Sequence, residues 1–259
     1  EYFSAVLDSF KVEAEKRGYD ITFINHNISG RSMTYLEHCH YRSVDGVVIA
    51  CVNFYDPQVV ELVNSDVPVV TIDHVFNNRM AVLSDNVAGL KALVKQAWAC
   101  GHRRIAFIHG EKTSVTENRI AGFYQACEEL GLEIPEEYVR DGVYHDVERC
   151  AEETRALLAL PQRPTCIIFP DDFSALGGYN ALAEAGLSIP DDISVMGYDG
   201  IYLSRVVNPS LVTYQQNTAA LGQTAADKLI ELIEHPRVTL PEQIRVSGRL
   251  LLGRSVRSL

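Results

Sequence analysis

Acids that follow apolar runs are the residues in this sequence best placed to do chemistry. Asp171 and Asp172 follow the run Cys166–Pro170, Asp199 follows Ile193–Tyr198, and Asp73 follows Val67–Ile72. Each run is short and continuously apolar, the pattern of a parallel strand covered on both faces. An acid just past the C-terminal end of such a strand stands where open α/β sheets bind their ligands. Carboxylates gathered in one crevice can act as catalytic acid and base, or can accept hydrogen bonds from sugar hydroxyls. The residue types allow both. Asp172 also reads as the N-cap of a helix opening at Phe173-Ser174-Ala175-Leu176.

Arg119 stands at the head of an amphipathic stretch, Ile120–Leu130. Its guanidinium can offer a planar fork of donors to a ligand in the crevice, or can lie on the helix surface. As a crevice residue its removal is expected to abolish binding and to leave the unliganded chain nearly as stable. Phe54, just beyond the run Gly46–Cys51, can present an aromatic face to a sugar ring or pack as core. His38-Cys39-His40 is the one dense group of metal-type ligands. On an extended segment His38 and His40 would share a face, but two ligands fall short of a zinc site, so a polar loop is the expectation and no metal is assigned. The patterns GxGxxG, GxxxxGK, GxSxG and HExxH are all absent, which removes the common phosphate cradles, the nucleophile elbow and the zinc helix. No cofactor is expected.

The elements that must position these residues alternate along the chain. Strands are expected at Asp20–Asn25, Gly46–Cys51, Val67–Ile72, Arg104–His109, Cys166–Pro170 and Ile193–Tyr198. Between them lie helices. Val87, Leu90, Val94 and Ala97 share one face, as do Ile120, Phe123, Cys127 and Leu130, and again Leu221, Ala225, Leu229 and Leu232. Such alternation predicts a doubly wound parallel α/β fold. There is a faint internal echo, with a helix ending at Gly18 before one strand and another ending at Gly131, which suits a bilobed protein. The sequence opens on a helix-like stretch, Ser4–Arg17, with no strand before it. A doubly wound lobe normally begins with a central strand, so that strand is expected upstream of Glu1.

Composition sets the class. Of 259 residues 47% are hydrophobic and 22% charged, as in an ordinary globular protein, and no apolar run approaches a membrane span. Net charge is −11, with basic residues scattered, so these residues are not expected to hold DNA themselves. Six cysteines include no CxxC pair, and Cys51 and Cys166 sit in apolar runs, which points to free thiols in a reducing cytoplasm.

Several segments resemble the LacI/GalR family of transcription regulators. They are Arg104-Ile-Ala-Phe-Ile-His-Gly110, Asn118-Arg119-Ile-Ala-Gly122-Phe123 and Pro164-Thr-Cys-Ile-Ile-Phe-Pro-Asp-Asp172. The most specific is Gly186-Leu-Ser-Ile-Pro190-Asp-Asp-Ile-Ser-Val-Met-Gly-Tyr-Asp199, followed by Asn208-Pro209-Ser-Leu-Val-Thr213 and Leu221-Gly222. The resemblance covers essentially the whole chain. It implies two doubly wound parallel-sheet lobes joined by three crossover strands, the periplasmic-binding-protein-like type I fold, with an effector held between them. It also implies homodimers, and contact with operator DNA only through an N-terminal helix-turn-helix that these residues do not include. By position, Arg119 matches the family's effector-clamping arginine and Asp199 the acid after its G-[FY] pair. Asp171 stands where many members have Asn, and Gly200 where many have a second Asp. Ser4, Phe54, Asp73 and Gln216 fall at less constant pocket positions.

The leading expectation is therefore a non-enzymatic effector sensor, binding a sugar or related polyol ahead of a purine and coupling lobe closure to DNA affinity. The alternatives are a secreted sugar-binding protein serving an uptake transporter and a hydrolase using the crevice acids. The N-terminal lobe is expected to comprise residues 1–102 plus 215–240, and the C-terminal lobe 103–214 plus 241–259. A first crossing nearer Ser84–Asn86 is the other placement.

Overall fold

A computed structural model describes residues 1–28 and 30–259, and it divides into two units. Unit 1 is Glu1–Ser84 with Asn217–Val246; unit 2 is Asp85–Gln216 with Ser247–Leu259. The chain begins with α1 (Tyr2–Lys16), β1 (Asn27–Ile28), β2 (Arg31–Ser32), α2 (Tyr35–Arg42), β3 (Val47–Ile49), α3 (Pro57–Val63), β4 (Val69–Ile72) and β5 (Met80–Ser84). It continues with α4 (Asn86–Ala99), β6 (Ile105–His109), α5 (Ser114–Glu129), β7 (Val139–Asp141), α6 (Val147–Leu158), β8 (Cys166–Ile168), α7 (Ala175–Glu184) and β9 (Ser194–Asp199). The last elements are α8 (Leu203–Val206), β10 (Val212–Gln215), α9 (Thr218–Glu234), β11 (Gln243–Val246) and β12 (Arg249–Leu251).

Unit 1 holds a four-stranded parallel sheet in the order β11-β5-β4-β3. β4 and β5 are buried along their whole length, because helices cover both faces. Val6 of α1 and Leu221, Ala225 and Leu229 of α9 pack on Val70, Ile72 and Val82. On the other face Val59, Leu62 and Val63 of α3 pack with Ile49 and Val69. Unit 2 holds a six-stranded sheet in the order β12-β10-β9-β8-β6-β7, parallel except for β12. Its two faces form separate cores. One joins Leu90, Leu93 and Val94 to Ile105, Phe107 and Phe123. The other joins Ile108, Ile167 and Phe169 to Leu157 and Leu182. This is the α/β architecture expected, with the chain passing three times between units.

The first passage differs from the expected one near Gly101–Arg103. It falls between Ser84 and Asp85, so α4 belongs to unit 2. The cause is packing: Leu90, Leu93, Val94 and Ala97 are buried in the unit 2 core with Phe123 and Met196. Gly122 allows the fit, since a Cβ there would lie 2.5 Å from Val87 O. The second passage falls at Gln216–Asn217 and the third at Val246–Ser247 rather than near Pro241, because β11 completes the unit 1 sheet beside β5.

Other local expectations are corrected as well. Tyr35–Arg42 is a helix, held by a Thr34–Glu37 capping box. His38 and His40 therefore do not share a face; His38 is buried with Nδ1 on Asn25, and among the described residues no group suited to a metal is found. Asp20–Asn25 is not a strand and pairs with none among the described residues. Seven of the strands among the described residues were not foreseen. β1 and β2 are two residues each and pair with one another, β7, β11 and β12 are short edge elements, and β5 and β10 lie inside their sheets. No helix among the described residues is long and apolar enough to cross a membrane.

Candidate functional site

Unit 2 gathers Arg119, Asp199 and Gln216 at the C-terminal ends of its parallel strands. Asp199 ends β9, with φ of +99°, a conformation that side chains rarely adopt. Its side chain is only 9% exposed. Oδ1 accepts from Nε2 of Gln216 at 2.6 Å, and Nη2 of Arg119 stands 3.9 Å away. Burial pushes the Asp199 carboxyl above its ordinary value, partly opposed by the guanidinium.

Arg119 lies in the second turn of α5, which starts at Ser114 rather than at Ile120. It is 4% exposed. Nε donates to Oδ1 of Asn86 at 2.9 Å, and Nη1 donates to the Pro170 carbonyl at 2.7 Å. The guanidinium carbon lies 3.6 Å from the centre of the Tyr198 ring and 5.5 Å from that of Tyr144. An arginine so placed is part of the folded unit, so its removal is expected to cost stability rather than leave it nearly unchanged. The compensation is rigidity: the fork is oriented before any ligand arrives.

The two neighbouring acids differ in role, and it is Asp171 rather than Asp172 that meets the start of α7. Asp172 does not cap α7. It is buried, with Oδ1 accepting from the Thr213 hydroxyl at 2.5 Å and Oδ2 from the Ile201 N–H at 2.9 Å, so it ties together the ends of β9 and β10. Burial raises its carboxyl well above the ordinary range. Asp171 is the residue that accepts from the Ser174 N–H, at 2.8 Å, just ahead of α7. Its Oδ2 takes the Ser174 hydroxyl at 2.7 Å and the His145 N–H at 2.9 Å. Burial pushes Asp171 up, yet the donors from His145 and Ser174 outweigh it and hold the carboxyl below its usual value. Nδ1 of His145 lies 3.5 Å from Oδ1, and that contact raises the imidazole.

Unit 1 carries the other expected positions. Asp73 follows β4 with φ of +59°. Its Oδ1 accepts from the Ser84 N–H at 2.7 Å and its Oδ2 from the Tyr2 hydroxyl at 2.8 Å, which pins α1 and β5 to the end of β4. Phe54 stacks on His74 with centroids 4.4 Å apart, and Phe76 meets His74 edge-on. Ser4 is exposed, its hydroxyl on the Glu1 carbonyl.

Sequence reasoning did not single out Asn86, Tyr144, Tyr198 or His145. Tyr198 lay inside the quoted Gly-Tyr-Asp motif, so its signal was present. Tyr144 and His145 follow β7, whose mixed Val139–Asp141 sequence conceals the strand that positions them. Asn86 became visible only once α4 was placed in unit 2.

Comparisons with known proteins agree with this fold. Residues 94–256 match the family described as periplasmic binding protein-like domain. The chain is 31% identical to the HTH-type transcriptional repressor PurR of Haemophilus influenzae, covering 100% of this chain and 78% of that protein. A LacI family transcriptional regulator from Enterococcus faecium, solved with bound ribose, is 26% identical with a TM-score of 0.84, covering 100% of this chain and 95% of that one. The CelR–cellobiose complex shares the fold, with a TM-score of 0.86 at 24% identity over 98% of this chain and 79% of that one. The chain belongs to the LacI family of transcription regulators, in their periplasmic-binding-protein-like effector domain. That family is non-enzymatic, so the hydrolase alternative falls.

Proposed function

We propose that the effector is a small uncharged sugar or related polyol, bound in unit 2 by Asp199, Arg119 and Gln216. The observation that carries this is the Asp199 carboxylate, nine-tenths buried at a positive φ beside a fixed guanidinium fork. A carboxylate accepts and a guanidinium donates, so together they match a hydroxyl pair, whose oxygens do both. Asp171 contributes by fixing the His145 backbone, and Tyr144 supplies an aromatic face. Asp73, Phe54 and Ser4 of unit 1 are further positions proposed to bind an effector. The ligand leaves with its bonds unchanged. Its binding alters the affinity of a helix-turn-helix head for operator DNA in a cytoplasmic homodimer, with a coupling of about 1–3 kcal/mol.

A purine is the rival effector, favoured by the likeness to PurR repressors. A thermal-shift panel of ribose, other pentoses, hexoses, sugar phosphates, hypoxanthine and guanine separates the two. A ligand at about 100 times its dissociation constant stabilises by about 2.7 kcal/mol. We expect a neutral sugar to raise the melting temperature by several degrees. A shift from hypoxanthine or guanine alone would establish the purine reading.

A further inference from the structure

A cavity of about 320 Å³ opens in unit 2 at the end of the sheet opposite to Asp199. Arg104, Thr165 and Ile193 border it, and they immediately precede β6, β8 and β9. Asp199 is the last residue of β9, six residues beyond Ile193. At about 3.3 Å per residue the two ends lie roughly 20 Å apart. Pro164, Ile193 and Leu187 give the cavity an apolar lining. The wall at 161–165 is tied down at several points. Gln162 O accepts from the Tyr138 hydroxyl at 2.7 Å, and the Thr165 N–H donates to Arg104 O at 2.8 Å. Thr165 O accepts from the Ser194 N–H at 2.9 Å. The shape of the cavity is therefore set by the fold.

Its charged residues are Arg104, Arg163 and Asp192. Both arginines are exposed, and neither guanidinium has an ion pair or hydrogen bond among the described residues. In a chain of net charge −11 this sets them apart. Arg140, Arg149 and Arg155 of the same unit each hold a carboxylate, at 2.6, 2.6 and 3.1 Å. Asp192 gives Oδ2 to the Ser188 N–H at 2.7 Å, which leaves Oδ1 able to accept from a hydroxyl. Two guanidinium forks suit a phosphoryl dianion, which takes paired N–H donors at full charge. A bare phosphate would face Asp192 with no compensating contact, whereas a hydroxyl on the same ligand gives that acid a donor. We propose that this cavity binds a small phosphate monoester bearing hydroxyl groups, its phosphoryl on Arg104 and Arg163 and a hydroxyl on Asp192. The volume suits such a molecule, since cavities that hold small ligands begin at about 300 Å³. The site stands apart from Asp199 and does not depend on which effector binds there.

The test is titration calorimetry of the protein with glycerol 3-phosphate and ribose 5-phosphate at about 0.15 M salt, where loose surface charge is screened. Glycerol, inorganic phosphate and sulfate serve as comparison ligands. We expect saturable binding of at least one ester, none of glycerol, and binding of either inorganic anion weaker by about tenfold or more. The double variant Arg104→Gln, Arg163→Gln should bind the ester about tenfold or more weakly while melting with the parent, since neither side chain has a partner to lose. Asp192→Asn should narrow the preference for ester over inorganic phosphate. Asp199→Asn should leave ester binding unchanged, and amide NMR of the parent should place the shifts at 161–165 and 187–193. Inorganic phosphate or sulfate binding as tightly as the esters would mark an adventitious ion only and overturn the proposal. So would failure of both esters to bind, full affinity in the double variant, an unaltered preference in Asp192→Asn, or binding lost with Asp199→Asn.

Discussion

Replacing Arg119 with alanine should separate what the fold needs from what the ligand needs. The substitution removes the donors to the Asn86 side chain and the Pro170 carbonyl, and leaves the nine-tenths-buried Asp199 without its cationic neighbour. A hydrogen bond to a charged group is worth about 1.5–3 kcal/mol, and breaking a buried charge cluster by removing one member costs about 3–5 kcal/mol. We therefore expect Arg119→Ala to destabilise by about 3–5 kcal/mol. At about 2–4 °C per kcal/mol this lowers the melting temperature by roughly 6–20 °C. Arg119→Lys keeps the charge and most of the stem but reaches at most one of the two acceptors, so its loss should be about half as large. Differential scanning calorimetry of the unliganded proteins measures both. An alanine variant melting within about 2 °C of the parent, or a lysine variant as unstable as the alanine one, would refute the account of Arg119 as a structural member of unit 2.

Three further outcomes are expected. A Cβ at Gly89 would lie 2.2 Å from the Tyr198 hydroxyl, so Gly89→Ala should displace the ring beneath Arg119 and destabilise by about 1–3 kcal/mol; chemical denaturation with an unchanged midpoint would contradict this. The raised Asp172 carboxyl stabilises the fold most below its unfolded value near 3.8, and that contribution is lost as pH rises through the higher folded value. Asp172→Asn cannot ionise, so its stability relative to the parent should increase as pH rises through that window, and parallel stability-against-pH curves for the two proteins would count against it. Burial pushes the thiols of Cys39, Cys127 and Cys150 up to about 11 and that of Cys166 higher. A disulfide reagent should react first with exposed Cys51, then with half-buried Cys100, and slowly with the other four unless the protein is unfolded; a fast-reacting Cys166 would show the unit 2 core to be open.

Much of this architecture was written in local pattern. Runs such as Ile105–His109 and Ser194–Asp199 are buried at all but their last residue and mostly apolar, and continuous burial leaves a direct mark on sequence. Short edge strands carry no such mark: β11 alternates between exposed and half-buried residues. The extent of α4 was legible but not its unit, since an amphipathic face shows that a helix packs without showing on what. The same limit governs the site. Asp199 and Arg119 could be found from strand ends and motif. Asp171 and Asp172 could not be assigned correctly, because both follow the same strand and the direction of each carboxylate depends on His145, Thr213 and Ile201, which lie elsewhere in the chain.

The most direct measurement is sugar binding by the parent and Asp199→Asn proteins compared side by side. Titration calorimetry with ribose and the other neutral sugars should give saturable binding of at least one sugar to the parent. The same sugar should bind at least tenfold more weakly to the variant, and chromatography should recover it unaltered. Equal affinity in the two proteins, no sugar binding to a folded parent, or recovery of a converted product would contradict the account.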